Sequence, residues 1–264
     1  MPKFAANLSL LFTELPFAER FAAAAAAGFT AVECQFPYDL PAEVVAAQLR
    51  QLKLDLVLFN APPGDWSKGS RGLAVSPQQT DAFRQSISTA LDYAARTGTK
   101  HLHVMAGITD GDRQSTLGLY RSNLAFAAEH AAAVGVTVLI EPLNQYDMPG
   151  YFLSDYDLAA ELITAIGMPS LRLQFDLYHR QMICGRIIDG LCQFLPLIGH
   201  IQVAGVPGRN EPVGGELDFA AIFAEIDRLG YQGFIGCEYR PLQGTVPGLA
   251  WIKPHMAAAS QTRA

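Results

Sequence analysis

Four short runs in the second half of the chain end in an oxygen-bearing side chain: LIE closes on Glu141, LQFD on Asp176, HIQ on Gln202 and GCE on Glu238. Two glutamates, an aspartate and a carboxamide offer hard oxygen donors only. Such a set suits Mg²⁺ or Mn²⁺ rather than zinc or copper, which prefer nitrogen and sulfur. Three carboxylates gathered without a cation would suffer repulsion and desolvation on the order of several kcal/mol. A divalent ion relieves that strain and polarises a substrate carbonyl. Any one of the four, taken alone, is as well explained as a loop-edge polar residue; their recurrence in consecutive units carries the reading. His179 follows Asp176 in DLYH, and Arg209 and Glu211 stand together in GRNEP. An arginine there would hold a substrate carboxylate through its two-pronged fork, whereas a surface Arg–Glu pair would contribute little. His101 and His103 share one side of a strand, and parity does not decide between pocket and packing.

The elements that must position these residues read as a regular alternation. Strand candidates are residues 4–8, 31–35, 54–60, 101–105, 136–141, 171–176, 200–203 and 234–238, with helical stretches at 17–27, 42–52, 78–97, 114–134, 156–166, 187–195 and 219–229. Phe219, Ile222, Phe223 and Ile226 follow the spacing of one helical face; Asp218 would cap its start and Gly230 close its end. Ser154 with Asp157 reads as a capping box for the helix at 156, which Gly167 ends. Eight alternations with no helix-only or strand-only block point to parallel βαβ units. A doubly wound sheet shares that pattern but usually brings a glycine-rich first turn, and this chain reads Asn7-Leu8-Ser9-Leu10 there. The count of eight favours the α/β class as a single (β/α)₈ TIM barrel, one domain over residues 1–264, about the usual size for that fold. In such barrels the C-terminal strand ends form the active-site face. Alternation puts Glu238 on the side of Gly236 and Asp176 on that of Gln174, with Leu171, Leu173 and Phe175 toward the helices. Residues 61–77 and 206–217 are too long for plain turns. The first, with Trp66 and Lys68 following Asn60 at a strand tip, reads as a lid or pocket wall.

The formal net charge of −6 argues against nucleic acid, which needs a basic face. No apolar run approaches the roughly 20 residues of a membrane span, and the opening MPKFAANLSLLFTE lacks the cleavage region of a signal peptide. Cys34, Cys184, Cys192 and Cys237 form no CxxC pair or zinc spacing and fit reduced thiols in a cytoplasmic protein.

At these residues the chain resembles the hydroxypyruvate isomerase family of the xylose-isomerase-like barrels. The likeness runs from FAANLSLLF to GLAWI and is most specific in NAPPGDWSKGSRGLA, IEPLNQYDMPGYFLS, LQFDLYHRQ, HIQVAGVPGRNEPVGGELD and GYQGFIGCEY. It implies Glu141 and Glu238 as an acid/base pair that also touches a Mg²⁺ or Mn²⁺ ion, with Asp176 and Gln202 completing the metal site. Substrate contacts are expected from His179, Arg209, Glu211, Asn60, Trp66 and Lys68. Related ketose epimerases usually carry His where this chain has Gln202. HVMAGI is closer to 2-oxo-tetronate isomerases, while IEPLNQYDMPGYFL is closer to hydroxypyruvate isomerases. The implied reaction interconverts hydroxypyruvate and tartronate semialdehyde by two-glutamate proton transfer through an enediolate. A hydride shift would call for a second metal cluster, which the sequence does not offer. Isomerisation of a 2-oxo-tetronate and 3-epimerisation of a ketose are the alternatives on the same scaffold. An apurinic-site endonuclease would need many histidines and a basic groove, and a binding module would not need both glutamates. The expected partner is a small hydroxy-keto acid or sugar acid, and a homo-oligomer is compatible with the sequence.

Overall fold

The computed structural model describes residues 2–109 and 111–254. Eight strands, β1 (Lys3–Asn7), β2 (Ala31–Glu33), β3 (Asp55–Asn60), β4 (His101–His103), β5 (Thr137–Ile140), β6 (Leu171–Asp176), β7 (Ile198–Val203) and β8 (Phe234–Cys237), are hydrogen-bonded in chain order. All pairs are parallel, and β8 returns to β1, so the sheet closes. Helices α1 (Phe17–Ala26), α2 (Ala42–Leu52), α3 (Thr80–Thr97), α4 (Arg113–Ala133), α5 (Tyr156–Ile166), α6 (Leu177–Ile183), α7 (Ile187–Phe194) and α8 (Phe219–Arg228) lie between successive strands, and the one-turn α9 (Thr245–Gly248) follows β8. This is the (β/α)₈ barrel expected from the alternation. Closure leaves no sheet edge in need of cover. No helix among the described residues is long and apolar enough to cross a membrane.

The two faces of the sheet separate as strand parity requires. Leu171, Leu173 and Phe175 of β6 are buried in the apolar core, where the Phe175 ring packs against Tyr156 of α5 at 5.2 Å and Phe194 of α7 at 6.5 Å. Gln174 and Asp176, on the other parity, point into the barrel. On α8, Phe219, Ile222, Phe223 and Ile226 are all buried, and the Asp218 carboxylate accepts the Ala221 N–H. Such amphipathic faces hold the outer ring of helices to the sheet.

Local differences from the sequence reading have physical causes. Helix α6 was not expected; the Asp176 side chain caps it by accepting the Tyr178 N–H, so a strand-tip acid also starts a helix. The cap of α5 is Asp155 rather than Ser154: its carboxylate accepts the N–H groups of Asp157 and Leu158. Strands β5 and β8 stop one residue short of Glu141 and Glu238, which places those side chains on the first loop residue of the barrel mouth. Above that mouth, two antiparallel bridges, Gly72 with Ala106 and Ile108 with Tyr151, tie the loops after β3, β4 and β5 together. Gly72 has φ +126, and a side chain there would overlap the Met105 carbonyl.

Removing the observed cap tests the local correction. Asp155→Ala should cost about 1 kcal/mol in urea unfolding, and Ser154→Ala less than about 0.5 kcal/mol; the reverse order would restore the capping box.

Candidate active site

Register brings the polar strand tips together. Asp176 pairs with Gln202, and Gln202 with Gly236, two residues before Glu238. The cavity at this end is lined by Glu141, Gln174, His179, Arg209 and Glu238, with His103, Asp147, Gln35, Asn60 and Trp66 around them. Phe36, Met105, Leu143 and Met148 supply its apolar wall. Its volume is about 60 Å³, room for roughly four water-sized groups. Arg209 is the only Arg or Lys among the described residues on that lining.

Asn60, Trp66, His179 and Arg209 thus lie where the sequence reading expected substrate contacts. Trp66 is 42 % exposed and is held between the Phe36 ring at 5.7 Å and the Arg71 guanidinium at 3.9 Å. Two expected contacts lie elsewhere. Lys68 points to solvent, its side chain 83 % exposed, and pairs with Asp65 at 3.1 Å. Glu211 accepts the Leu242 N–H at 3.0 Å and lines a separate surface hollow with Trp251, so it braces the loop after β8. Both sit in long loops, where sequence adjacency to a cavity residue says little about side-chain direction. His103 enters the cavity while His101 lies deeper, its ring 6.1 Å from that of His200, which settles what parity left open. Asp147, Gln35 and Asn7 went unremarked as site residues; IEPLNQYD held Asp147 in plain view, but nothing in its spacing distinguished it from a loop acid.

The carboxylates are buried and unequal. Glu238 receives Arg209 Nη2 at 2.7 Å, Gln35 Nε2 at 3.2 Å and Asn7 Nδ2 at 3.3 Å. Arg209 also lies 3.7 Å from Asp176 and 3.9 Å from Asp147, with its guanidinium over the Tyr178 ring at 5.0 Å. Glu141 receives only Gln174 Nε2 at 2.9 Å. Burial, then the charges of Glu238 and Asp176, push Glu141 well above the usual carboxylate range. Burial pushes Asp176 up to about 7, with Arg209 opposing. Burial also raises Glu238, again against Arg209. His103 is driven down to about 3 by burial, and His179 well below its usual value by burial and Arg209, so both rings are neutral.

Glu141, Asp176 and His179 bring one ligand-type atom each within 4.8 Å of the others, a cluster that fits a divalent metal. The chemistry of the oxygens agrees: Glu141 Oε1 and Asp176 Oδ2 are buried without a hydrogen-bond partner, Oδ2 with the Arg209 guanidinium at 3.7 Å, and a buried carboxylate oxygen left so is costly unless a closer cation serves it. His179 is oriented differently. The Asn144 N–H donates to its Nδ1 at 3.1 Å, so the proton of the neutral ring sits on Nε2, 3.9 Å from Asp176 Oδ2. Nε2 therefore presents a donor to the cavity. The Gln202 oxygen accepts from Gln174 at 2.6 Å and keeps a second lone pair.

Comparison with known proteins agrees with this architecture. A family model described as xylose isomerase-like TIM barrel matches residues 21–255. The chain is 51 % identical over 97 % of its length to a 2-oxo-tetronate isomerase of Cupriavidus necator, covering 99 % of that protein. It is 38 % identical to the hydroxypyruvate isomerase of Escherichia coli, over 97 % of this chain and 100 % of that one. A crystal structure from Brucella melitensis, described as an AP endonuclease of family 2, superposes with TM-score 0.95 at 44 % identity, covering 97 % and 99 % of the two chains. With a barrel, a polar cavity at its C-terminal mouth and these relatives in agreement, the chain belongs to the xylose isomerase-like TIM barrel family and is an isomerase.

Proposed function

We propose that the protein moves the carbonyl of a small 2-oxo-3-hydroxy acid from C2 to C3, with Glu141 and Glu238 as the proton-transferring pair. The observation that carries this reading is the pair of buried glutamates facing one cavity whose only guanidinium among the described residues is that of Arg209. Hydroxypyruvate, giving tartronate semialdehyde, is the three-carbon case, and a 2-oxo-tetronate the same reaction with a hydroxymethyl group on C3. A relative named 2-oxo-tetronate isomerase stands at 51 % identity, against 38 % for the E. coli hydroxypyruvate isomerase and 41 % for relatives named putative hydroxypyruvate isomerase, which favours the four-carbon substrate. The narrow cavity suits either better than a six-carbon ketose, and a 3-epimerase would have no carboxylate for Arg209 to hold. Three carboxylates around one cation also make a poor seat for a phosphodiester backbone.

In this reading Arg209 leaves part of its ion pairing to take the substrate carboxylate, and His179 donates its Nε2–H to a substrate oxygen. One glutamate removes the C3 proton, the hydroxyl proton on the C3 oxygen passes to the C2 oxygen, and the other glutamate delivers a proton to C2, so that the C2 carbonyl becomes a hydroxyl and the C3 hydroxyl a carbonyl. Burial raises both carboxyl groups above the usual carboxylate range, the direction that makes a carboxylate a stronger base toward a C–H proton. Glu141, Asp176 and Glu238, with the Gln202 oxygen, would hold a Mg²⁺ or Mn²⁺ ion. When bound, such an ion supplies Lewis-acid stabilisation of negative charge on the substrate oxygens. Trp66 closes the outer wall and limits water. The whole chain acts as one barrel unit in the cytoplasm.

Glu141→Gln and Glu238→Gln should each lower kcat by at least about 10²–10⁴-fold with the barrel folded. In D₂O one of the two variants should still exchange the C3 proton without forming product; near-normal turnover in either would end the assignment. Trp66→Ala should raise KM about tenfold, and unchanged KM and kcat would make that loop a passive surface. The carboxylates also set a pH dependence. Asp176, raised in the folded state to about 7 from about 3.9 when unfolded, adds stability that is full below about pH 4 and is lost as pH rises through about 7. Chelator-treated protein should therefore show a falling urea midpoint between about pH 5 and about pH 8, and Mg²⁺ or Mn²⁺ should restore most at the upper end. A midpoint indifferent to both pH and metal would count against the site.

A further inference from the structure

Beneath the cavity, Glu33 at the end of β2 is fully buried. Donors converge on both its oxygens: Asn7 Nδ2 at 2.9 Å and Gln202 Nε2 at 2.7 Å reach Oε1, and His200 Nε2 lies 2.7 Å from Oε2. On β8, Gly236 leaves the space for this carboxylate, which a Cβ there would overlap.

A carboxamide has one donating end and one accepting end, so an acceptor at Glu33 dictates a direction to everything attached to it. Gln202 turns its NH₂ to Glu33 and hence its oxygen to Gln174. Gln174 Nε2 then donates to that oxygen at 2.6 Å and to Glu141 at 2.9 Å. Both hydrogens are thereby used, and Gln174 Oε1 is left buried without a partner, as a chain directed from Glu33 would leave it. On the other side, Asn7 has its oxygen engaged by the Ser9 N–H at 3.0 Å and divides its NH₂ between Glu33 and Glu238. One run of oriented amides thus joins Glu141 to Glu238 through the barrel interior.

We infer that Glu33 is a positioning residue for the isomerisation, setting through Gln202 and Gln174 on one side and Asn7 on the other the orientation of both proton-transferring glutamates. The inference rests on the reading of Glu141 and Glu238 above, so wild-type turnover of hydroxypyruvate and a 2-oxo-tetronate is measured first. Failure on both substrates sinks that reading, whereas the Glu33 chain is still read out by solvent exchange of the Gln174, Gln202 and Asn7 side-chain amides in ¹H–¹⁵N spectra.

In active enzyme, Glu33→Gln should lower kcat about 10–100-fold, the scale of other supporting-residue losses, while KM stays within about threefold and the three amides exchange faster. Adding Gln174→Leu should cost little more than the worse single change, because both act on one chain. If Glu33→Gln does not fold, Gly236→Ala displaces the same carboxylate without changing its chemistry and should give the same kcat-selective loss. A residue that served folding alone would lower Tm and leave kcat intact well below Tm. Wild-type kcat in a folded Glu33 or Gly236 variant, unchanged amide exchange, or losses that simply multiply in the double variant would each overturn the inference.

Discussion

Like charge held out of water is the constraint around which this barrel is arranged. Glu141 and Glu238 face one buried cavity with Asp176 buried beside them, and neither burial nor their mutual repulsion favours the ionised form of any of them. One guanidinium, from Arg209, cannot satisfy all three: it reaches Glu238 at 2.7 Å and Asp176 at 3.7 Å and acts on Glu141 only through its charge at longer range. The remainder is met by oriented amides below and leaves two orphan carboxylate oxygens above. Such a site is costly to leave bare, and a bound cation or added protons would relieve it. Structure and chemistry here are two descriptions of one electrostatic imbalance.

The barrel was legible because its determinants are local. Eight short apolar runs separated by helical spacing admit few architectures, and parity on β6 correctly divided Phe175 from Gln174 and Asp176. The strand-tip acids were legible for the same reason: closure brings strand ends together whatever the loops do. What stayed hidden depended on partners far apart in the chain. Glu33 lies in an unremarkable AVECQ run, and only the register between β1, β2, β7 and β8 surrounds it with donors. Lys68 and Glu211 misled because loops reverse direction within two or three residues; Asp65 and the Leu242 N–H, not the cavity, are their nearest demands. Ser154 lost to Asp155 as the α5 cap over a single residue of offset.

The relatives place two reaction names on chains that share nearly the whole length of this one. Solved barrels that share the fold at 14–21 % identity are described as sugar epimerases. What these more distant barrels share with the chain is the fold.

The bridges from Gly72 to Ala106 and from Ile108 to Tyr151 have an evolutionary consequence. They make three neighbouring loops one mechanical collar, clamped at its base by backbone bridges and held at the tip that carries Trp66 by side chains only. Insertions and substitutions in that tip can alter the size of molecule admitted while the acids beneath keep their places. A lineage built this way can change what its cavity admits by remodelling a few residues of rim, without disturbing the polar residues beneath.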